Sequence, residues 1–572
     1  SALLAAAARA AIRAEGLGHS CAWLTDPQTD AGFDHDALAA LREHDWVGDG
    51  SRATPFVLDA QNRFYLWRNW QNEATLAESI VQRCDLHTLP VCAELLARDL
   101  DMLFAGMPGG PANLQRAAVA AVPGKRFFVL TGGPGTGKTT TVVRMLLMLL
   151  RHAEACGLSS RPSIALAAPT GKAAQRLVQA VARGKAGLQA SWAGRGDEPA
   201  FQQLLPLIPQ SDVRTLHRLL GYRPTDNCFS RGPHNPLAED IVVVDEASMV
   251  DLAMMRQLLQ ALRPDSVLIL LGDPDQLASV DAGSVLADIV ACASTHELSS
   301  AQTSPSALAD HVVTLVHGWR AGSGLQRGIE ALRHASDDRW LDALLADRAD
   351  GDLHVRDAAG SNDLRVNIDA WIERQHATLQ VLLSPGVDAG VALANLRRFQ
   401  ILCALRDGPH GAQGINALLA RRLALRFEID TSHGWYHGRP VIVTRNDYAR
   451  SLFNGDVGIA LQDKSGLRVW FELSDRDGNA SLRSFSPRTL PAHESAWAIT
   501  IHRSQGSEYQ DVAVVLPPDK DNRVLTRELV YTAISRAHSH AELWTTDGSL
   551  RAALAHRVQR QGGLRERLRG TC

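Results

Sequence analysis

The ten residues 131–140, TGGPGTGKTT, have the composition and spacing of a loop that holds a nucleotide by its phosphates. Gly132, Gly137, Lys138 and Thr139 satisfy the pattern G-x-x-x-x-G-K-[ST]. Glycine permits torsions and close approaches that a Cβ would block, so the backbone N–H groups can surround phosphate oxygens. The lysine adds a cation, and the hydroxyl of Thr139 suits Mg²⁺. The stretch therefore predicts a nucleotide site with Mg²⁺.

Two adjacent carboxylates, Asp245 and Glu246, follow the apolar run 241–244. Open α/β sheets bind their ligands at the carboxyl ends of strands. Asp245 is predicted to hold Mg²⁺, directly or through water, and Glu246 to accept a proton from the water that attacks the γ-phosphate. The alternative for such a pair is a helix N-cap followed by a first-turn carboxylate. The phosphate loop in the same chain disfavours that alternative.

Polar residues follow two further predicted strands. Gln276, in LGDPDQL, is expected to sense the γ-phosphate and to relay its loss. Pro169, Thr170 and Lys172, in APTGK, offer a hydroxyl, free amides and a cation that suit a nucleic-acid backbone. Lys172 has a plain alternative as a solvated lysine.

Four continuous apolar runs are predicted to form the strands that position these residues. They alternate with helical segments such as 140–150, as a parallel α/β sheet requires. Continuous runs indicate strands covered on both faces. Residues 183–212 are predicted to form a surface excursion, and residues 294–306 a mobile loop. The four predicted strands are 127–130, 164–168, 241–244 and 267–271.

A second α/β region is predicted after residue 312. Its expected strands are 399–405 and 512–516, and its expected helices are 415–426 and 527–537. Short alternating segments separated by turn signals predict a small β-rich insertion at about 438–491.

The N-terminal region contains no recognisable catalytic cluster. Trp67 and Trp70 have two interpretations: they form the core of a small domain, or they present an anchor to a partner protein. The segment MPGGPAN at 107–113 predicts a linker. The chain therefore divides into an N-terminal domain and two α/β domains, with predicted bounds 1–108, 109–311 and 312–572.

The composition is that of an ordinary folded protein, with 572 residues, 45% hydrophobic and 21% charged. The formal net charge of −3 excludes a binder that relies on a basic overall field, so nucleic acid must be held in local grooves. The eight cysteines show no metal-ligand spacing and are expected to be reduced thiols of a cytoplasmic protein. The chain contains no run of about 18 uncharged apolar residues, so no membrane span is predicted.

Residues 115–537 resemble the helicases of superfamily 1 in the order and wording of their motifs. The matching segments are TGGPGTGKTTT, APTGKAAQRL, TLHRLLG, VVVDEASMVD, GDPDQLASV, IHRSQGSE and RELVYTAISRA. The resemblance implies two RecA-like domains, ATP with Mg²⁺, and movement along DNA. It assigns to ATP the adenine-reading Gln115 and the loop residues Gly133, Gly135, Thr136, Gly137, Lys138, Thr139 and Thr140. It assigns to DNA the residues Pro169, Thr170, Lys172, His217, Thr500, His502 and Gln505.

Two late arginines match the arginine fingers of the same family: Arg320 in HGWR and Arg536 in YTAISRA. On the second α/β domain they would reach the γ-phosphate only when the two domains close. The resemblance therefore implies that closure depends on ATP.

A narrower resemblance is to the motor subunit of a bacterial three-subunit helicase–nuclease. It implies 5′→3′ movement, and it implies a second helicase–nuclease subunit and a scaffold subunit as partners, reached partly through residues 1–108. No carboxylate–lysine nuclease site is recognisable in the chain. The predicted function is an ATP-driven DNA motor in double-strand break repair and degradation of linear DNA. The alternative is an ATP-binding regulatory subunit that does not unwind DNA; the two arginine motifs disfavour a kinase.

Overall fold

Two six-stranded sheets, preceded by a smaller N-terminal sheet, position the predicted site residues. The computed structural model describes residues 2–25, 33–86, 91–107, 111–192, 199–209, 213–294, 307–316, 323–334, 338–447, 449–464, 466–474 and 480–570.

The N-terminal region forms a four-stranded sheet that packs against two helices, with Leu4, Leu24, Leu41 and Phe64 in its core. The strand order is β1-β4-β3-β2, where β1 is Cys21–Trp23, β2 is Val47–Gly48, β3 is Phe56–Leu58 and β4 is Arg63–Leu66. The helices are α1 (Ala2–Gly16) and α2 (His35–Arg42). Two later helices, α3 (Trp67–Asp85) and α4 (Ala93–Leu103), pack instead on the domain that follows.

Trp67 and Trp70 are half-buried and pack against a small hydrophobic cluster in this part of the molecule. Their rings stack with centroids 5.3 Å apart, and both pack against the buried Tyr65. The guanidinium of Arg567 lies 5.1 Å from the centroid of Trp70. These contacts favour the core interpretation of the two tryptophans over a partner anchor.

The first α/β domain is built on a wholly parallel sheet in the order β12-β5-β11-β10-β6-β7. Phe127 and Val129 face one hydrophobic cluster while Phe128 and Leu130 face another, because successive side chains of a strand point to opposite faces. The strands are β5 (Phe127–Gly132), β6 (Ile164–Ala168), β7 (Val213–Thr215), β8 (Tyr222–Arg223), β9 (Cys228–Phe229), β10 (Ile241–Val244), β11 (Val267–Gly272) and β12 (Val312–Leu315), of which β8 and β9 form a separate hairpin. The helices are α5 (Pro111–Ala121), α6 (Lys138–Arg151), α7 (Gly171–Trp192), α8 (Pro199–Leu204), α9 (Leu216–Leu219), α10 (Leu252–Ala261) and α11 (Val285–Ala293).

All four strands predicted for this domain are confirmed, but three other expectations need correction. Strand β12 pairs with β5, so this sheet extends to Leu315 rather than ending at residue 311. The described residues of the predicted excursion, 183–192 and 199–209, are largely helical, because Leu188 and Trp192, four residues apart, bury the last turns of α7 in the core. The predicted linker at 107–113 is cut short by α5, which begins at Pro111. Residues 295–306 of the predicted mobile loop lie outside the described residues.

The second α/β domain has a sheet in the order β13-β14-β23-β22-β15-β21, parallel except for the short edge strand β13. Its other five strands repeat the order of β5, β11, β10, β6 and β7. Helices cover both of its faces. The strands are β13 (Ala349–Asp350), β14 (Leu353–Asp357), β15 (Phe399–Cys403), β21 (Ala498–Thr500), β22 (Tyr509–Val515) and β23 (Ala537–Thr545). The helices are α12 (Ser323–His334), α13 (Asp338–Asp347), α14 (Ser361–Arg374), α15 (His376–Leu383), α16 (Ala389–Leu396), α17 (Ala412–Phe427), α18 (Ile501–Ser504), α19 (Arg527–Ile534) and α20 (Asp547–Ala555).

The predicted strands at 399–405 and 512–516 and the helix at 415–426 are confirmed as β15, β22 and α17. The helix predicted at 527–537 ends earlier, at Ile534, because Ala537 already begins β23.

A five-stranded antiparallel sheet is inserted in the second domain, which confirms the β-rich insertion predicted at about 438–491. Its order is β19-β18-β17-β16-β20, where β16 is Pro440–Val443, β17 is Val457–Asp463, β18 is Gly466–Ser474, β19 is Ala480–Phe485 and β20 is His493–Ser495. Gly455 has φ +97° in the turn before β17, a conformation that glycine adopts readily.

The C-terminal segment leaves the second domain after α20 and returns to the N-terminal region. Arg560 donates hydrogen bonds to the carbonyl oxygens of Asp281 (2.6 Å) and Gly283 (2.7 Å), downstream of Gln276. The amide of Gly563 donates to the buried Glu73 carboxylate of α3. The last helix, α21 (Leu564–Leu568), packs against α3 and α11. The segment therefore joins the N-terminal region to the first domain.

In the described part of the chain, no helix combines the length and the apolar composition that crossing a bilayer needs.

Candidate functional site

The phosphate loop connects β5 to α6 in a conformation that requires glycine. Gly132, Gly135 and Gly137 have φ values of +153°, +78° and +85°. A Cβ on Gly132 would lie 2.6 Å from the carbonyl oxygen of Leu315 on the neighbouring strand β12. Gly137 is the N-cap residue of the 14-residue helix α6, so the positive end of its dipole faces the loop.

Three side chains stabilise the loop by hydrogen bonds to its backbone. The Lys138 ammonium donates to the carbonyl oxygens of Gly132 (2.5 Å) and Gly133 (3.0 Å). Gln115, 4% exposed on α5, donates to the carbonyl oxygen of Thr136 at 3.1 Å. The Thr136 hydroxyl donates to the carbonyl oxygen of Gly133 at 2.9 Å. Gln115, to which the family resemblance assigns adenine reading, therefore lies against the loop.

Asp245 and Glu246 lie at the carboxyl end of β10, facing the loop. Asp245 accepts a hydrogen bond from the Glu246 amide at 2.9 Å. Burial and the neighbouring Glu246 carboxylate raise the pKa of Asp245 to about 6, while the Lys138 charge opposes the rise. Glu246 has φ +52°, a left-handed conformation that is strained for a residue with a side chain. Strain of this kind is concentrated at functional sites, so it supports a catalytic role for Glu246.

The second domain reaches this site through Arg536, which is 2% exposed between α19 and β23. Its guanidinium donates to the Gln276 side-chain oxygen, and the Gln276 amide donates to Asp273 at 3.0 Å. Tyr531 on α19 also donates to Asp273, at 2.9 Å. Burial raises the pKa of the Asp273 carboxyl. The predicted γ-phosphate sensor is thus hydrogen-bonded to the predicted arginine finger across the domain interface.

A cavity of about 420 Å³ lies between the two domains, within the size range of ligand pockets. Both domains line it. From the first domain come the phosphate loop, Asp245, Glu246 and Gln276, and from the second come Glu508 and Arg536.

Most of the residues assigned to DNA follow the carboxyl ends of strands in both sheets. Ala168 at the end of β6 is level with Thr215 at the end of β7, which places Pro169 and Thr170 close to the turn that carries His217. Cys403 and Thr500 end β15 and β21 in the same way. The exposed residues among those assigned to DNA include His217 and His502, whereas Thr170, Lys172 and Thr500 are half-buried.

Gln505 differs from the other residues assigned to DNA. It is 8% exposed, and its amide donates to the carbonyl oxygen of Leu277 at 3.2 Å. The structure therefore places Gln505 in the contact between the domains rather than on an open surface. Arg320 lies outside the described residues.

Two ionic clusters at the site were not identified from the sequence as functional. Arg176 on α7 forms an ion pair with Glu508 of the second domain. Glu494 on β20 accepts from Arg406 (2.7 Å) and Arg503 (2.5 Å), which follow β15 and β21. Arg176, Arg503 and Glu508 lie inside the quoted motifs, but no spacing rule links them to partners so distant in sequence.

Two family models match the chain: an AAA domain over residues 115–282 and a UvrD-like helicase C-terminal domain over residues 495–543. The RecBCD enzyme subunit RecD of Mycobacterium tuberculosis is 37% identical over 99% of this chain and 92% of its own length. The chain belongs to the RecD family. The RecD subunit of Haemophilus influenzae is 32% identical, over 93% of this chain and 85% of that protein.

A longer protein is also similar to this chain. The ATP-dependent RecD2 DNA helicase of Deinococcus radiodurans is 30% identical, over 80% of this chain and 53% of that protein. Among solved structures, a Bacteroides Pif1 helicase bound to single-stranded DNA shows a distant likeness, with 15% identity, a TM-score of 0.34 and coverage of 80% of this chain and 94% of that chain. Membership of the RecD family confirms the predicted class, an ATP-hydrolysing DNA helicase of superfamily 1.

Proposed function

We propose that this chain is the ATP-driven motor of a three-subunit helicase–nuclease, in which hydrolysis opens and closes two RecA-like domains on a DNA strand. The observation that carries this proposal is the shared cavity. Lys138 and Glu246 belong to the first domain, while Glu508 and Arg536 belong to the second. A site divided in this way is complete only in the closed arrangement, so ATP turnover is linked to domain movement.

In this proposal the loop amides and Lys138 hold the phosphates, and Gln115 reads the adenine edge. Thr139 and Asp245 would hold Mg²⁺, which when bound would neutralise phosphate charge. The residues fit the ion, because both offer oxygen donors to one cavity. Glu246 accepts the proton of the attacking water.

Gln276 and Arg536 make the link between hydrolysis and movement. Their hydrogen bond joins the first domain to the second at the cavity wall. A γ-phosphate bound beside them would give Arg536 a charged acceptor in place of the neutral Gln276 oxygen; when it leaves, Arg536 returns to Gln276 and the interface weakens. Arg320, assigned by resemblance, would add a second arginine finger.

Single-stranded DNA would lie along the strand-end loops of both domains. Pro169, Thr170, Lys172 and His217 contact it from the first domain, and Thr500 and His502 from the second. Arg406 and Arg503 are additional candidates, because two guanidiniums that converge on the Glu494 carboxylate are suited to a phosphate. Movement in the 5′→3′ direction follows from the family resemblance.

The partners would be a RecB-like helicase–nuclease and a RecC-like scaffold in the bacterial cytoplasm, since the relatives are RecD subunits of RecBCD enzymes. The N-terminal domain is the proposed contact. It is held to the first domain by the C-terminal segment, so a partner bound there would also contact the body of the motor.

The test is ATP hydrolysis by the full chain with and without single-stranded oligo(dT). We expect turnover to rise at least about tenfold with DNA, because DNA favours the closed, catalytically complete arrangement. Turnover that DNA leaves unchanged would contradict the motor and favour the alternative, a regulatory subunit whose ATP site only sets the state of the complex. Glu246→Gln, which keeps the side-chain shape but not the base, is the negative control.

A further inference from the structure

Helix α7 starts at the proposed DNA contact and runs along the groove between the two domains. Lys172, Arg176, Gln179 and Arg183 recur at helical spacing and form one stripe. The stripe lines a cavity of about 360 Å³ whose other wall belongs to the second domain. A basic stripe of the first domain thus faces the second domain, on the same rigid helix that begins at the DNA side.

The second domain meets this stripe with carboxylates. Arg176 forms an ion pair with Glu508, which precedes β22, and the side chains of the two residues are 30% and 20% exposed. Glu508 also lies 3.1 Å from Nε2 of His538 on β23. The Lys172 charge acts on Asp456 of the inserted sheet. The Arg176–Glu508 pair therefore crosses the domain interface in the middle of the stripe.

Arg176 also lines the nucleotide cavity together with Asp245 and Glu246. Burial opposes its charge, yet Glu508 and Glu246 together raise the pKa of the guanidinium. The Arg176 guanidinium thus interacts electrostatically with the proposed general base, Glu246, and forms an ion pair with Glu508 of the other domain. Arg176 follows Lys172 by four positions, which is about 6 Å along the helix axis.

We propose that Arg176 is a positioning residue: its ion pair with Glu508 links DNA contact at the start of α7 to closure of the second domain over Glu246. A displacement of α7 at Lys172 is transmitted to Arg176, because a helix moves as a rigid unit over one turn. The pair then sets the distance between the two halves of the cavity. This inference rests on the proposed motor function.

The test is a charge-swap cycle in the full chain: Arg176→Glu, Glu508→Arg and the double variant. The quantities measured are kcat and KM for ATP at saturating oligo(dT), and the oligo(dT) concentration that gives half-maximal stimulation. We expect each single reversal to lower the DNA-stimulated kcat about tenfold and to raise the DNA requirement, because like charges then meet across the interface. We expect the double variant to recover at least half of the lost stimulation.

The matched control is the ion pair between Arg397 and Glu472, which lines the same groove but lies wholly within the second domain. Arg397→Glu and Glu472→Arg should leave DNA stimulation within about twofold of the wild type. Arg176→Lys should retain more stimulation than Arg176→Gln, because it keeps the charge. Thermal midpoints of all variants establish that the fold is intact.

The inference is overturned if the double variant is no better than the worse single variant while its thermal midpoint matches the wild type. It is also overturned if the control pair lowers stimulation as much as Arg176 and Glu508 do. Absence of DNA stimulation in the wild type itself contradicts the motor function, and the inference falls with it. The wild-type measurement therefore distinguishes the two failures.

Discussion

The two large sheets share the order of five strands, β5-β11-β10-β6-β7 and β14-β23-β22-β15-β21, but contribute opposite edges to the nucleotide cavity. In the first sheet the functional residues follow their strands: the phosphate loop follows β5, Asp245 follows β10 and Gln276 lies beyond β11. In the second sheet Glu508 precedes β22 and Arg536 precedes β23. The carboxyl edge of one sheet thus meets the amino edge of the other. A duplicated framework therefore makes one asymmetric site rather than two equivalent ones.

The counterpart of β5 in the second sheet is not followed by a phosphate-binding loop. Strand β14 occupies the same place in the order, but α14 begins after it without a glycine-rich loop. The Gly360 amide there donates to Asp363 at 2.8 Å, a local cap that satisfies the helix start. The first sheet leaves the N–H groups of its helix start for phosphate, whereas the second uses a side chain. Only one half can cradle a nucleotide.

The largest expected effect comes from substitutions in the nucleotide site, and it distinguishes the role of the first domain from that of the second. Lys138→Gln and Arg536→Gln should each lower DNA-stimulated kcat at least about 100-fold, because each removes a positive charge that stabilises the negative charge of the transition state. Only Lys138→Gln should also weaken ATP binding, since Lys138 lies in the cradle and Arg536 reaches it from the other domain. Fluorescent ATP-analogue titration and steady-state kinetics measure both. Equal loss of ATP binding in the two variants would contradict the asymmetry; Lys520→Gln, an exposed lysine, is the control.

A smaller effect tests whether the carboxyl edge of the second sheet is used for DNA. Arg406→Gln should lower the slope of log affinity against log salt by about 0.7, the value for one phosphate contact to a single strand. Oligo(dT) binding by fluorescence anisotropy over a KCl series gives this slope. Arg422→Gln is the matched control, because Arg422 also pairs with a carboxylate, Asp369, but on the α17–α14 contact. The same slope in wild type and Arg406→Gln would remove this edge from the DNA path.

The smallest effect concerns the inserted sheet, which only the second domain contains. Burial raises the pKa of Asp456 to about 6, against the Phe453 amide and the Lys172 charge. The folded carboxyl holds its proton more tightly than the unfolded one, so this group costs stability as pH rises from about 4 through 6. The thermal midpoint of Asp456→Asn minus that of the wild type should therefore be more positive at pH 7 than at pH 4.5. If the difference in thermal midpoint between variant and wild type is the same at both pH values, burial does not raise the pKa of Asp456.

Four of the six strands of the first sheet could be predicted because each is a continuous apolar run, as in β10 (IVVV) and β11 (VLILLG). The edge strands β7 (VRT) and β12 (VVTL) are short and contain polar residues, and neither was predicted. In the second sheet β14 (LHVRD) and β23 (AHSHAELWT) mix polar residues with apolar ones, and neither was predicted. The same limit affected α7, whose last turns carry Gly and Gln on their outer side. Burial of Trp192 holds these turns in a helix. Local composition could not reveal that packing.

The chemistry of the first half of the site follows from the sequence by itself. The torsion of Gly137, the charge of Lys138 and the carboxylates at the end of β10 depend on neighbours within a few residues, so spacing alone defines them. Tertiary structure decided the contacts across the cleft. Gln276 and Arg536 meet although they are 260 residues apart, and Arg176 meets Glu508 across the same interface. Such partners are selected by how two sheets pack, and no local pattern encodes that choice.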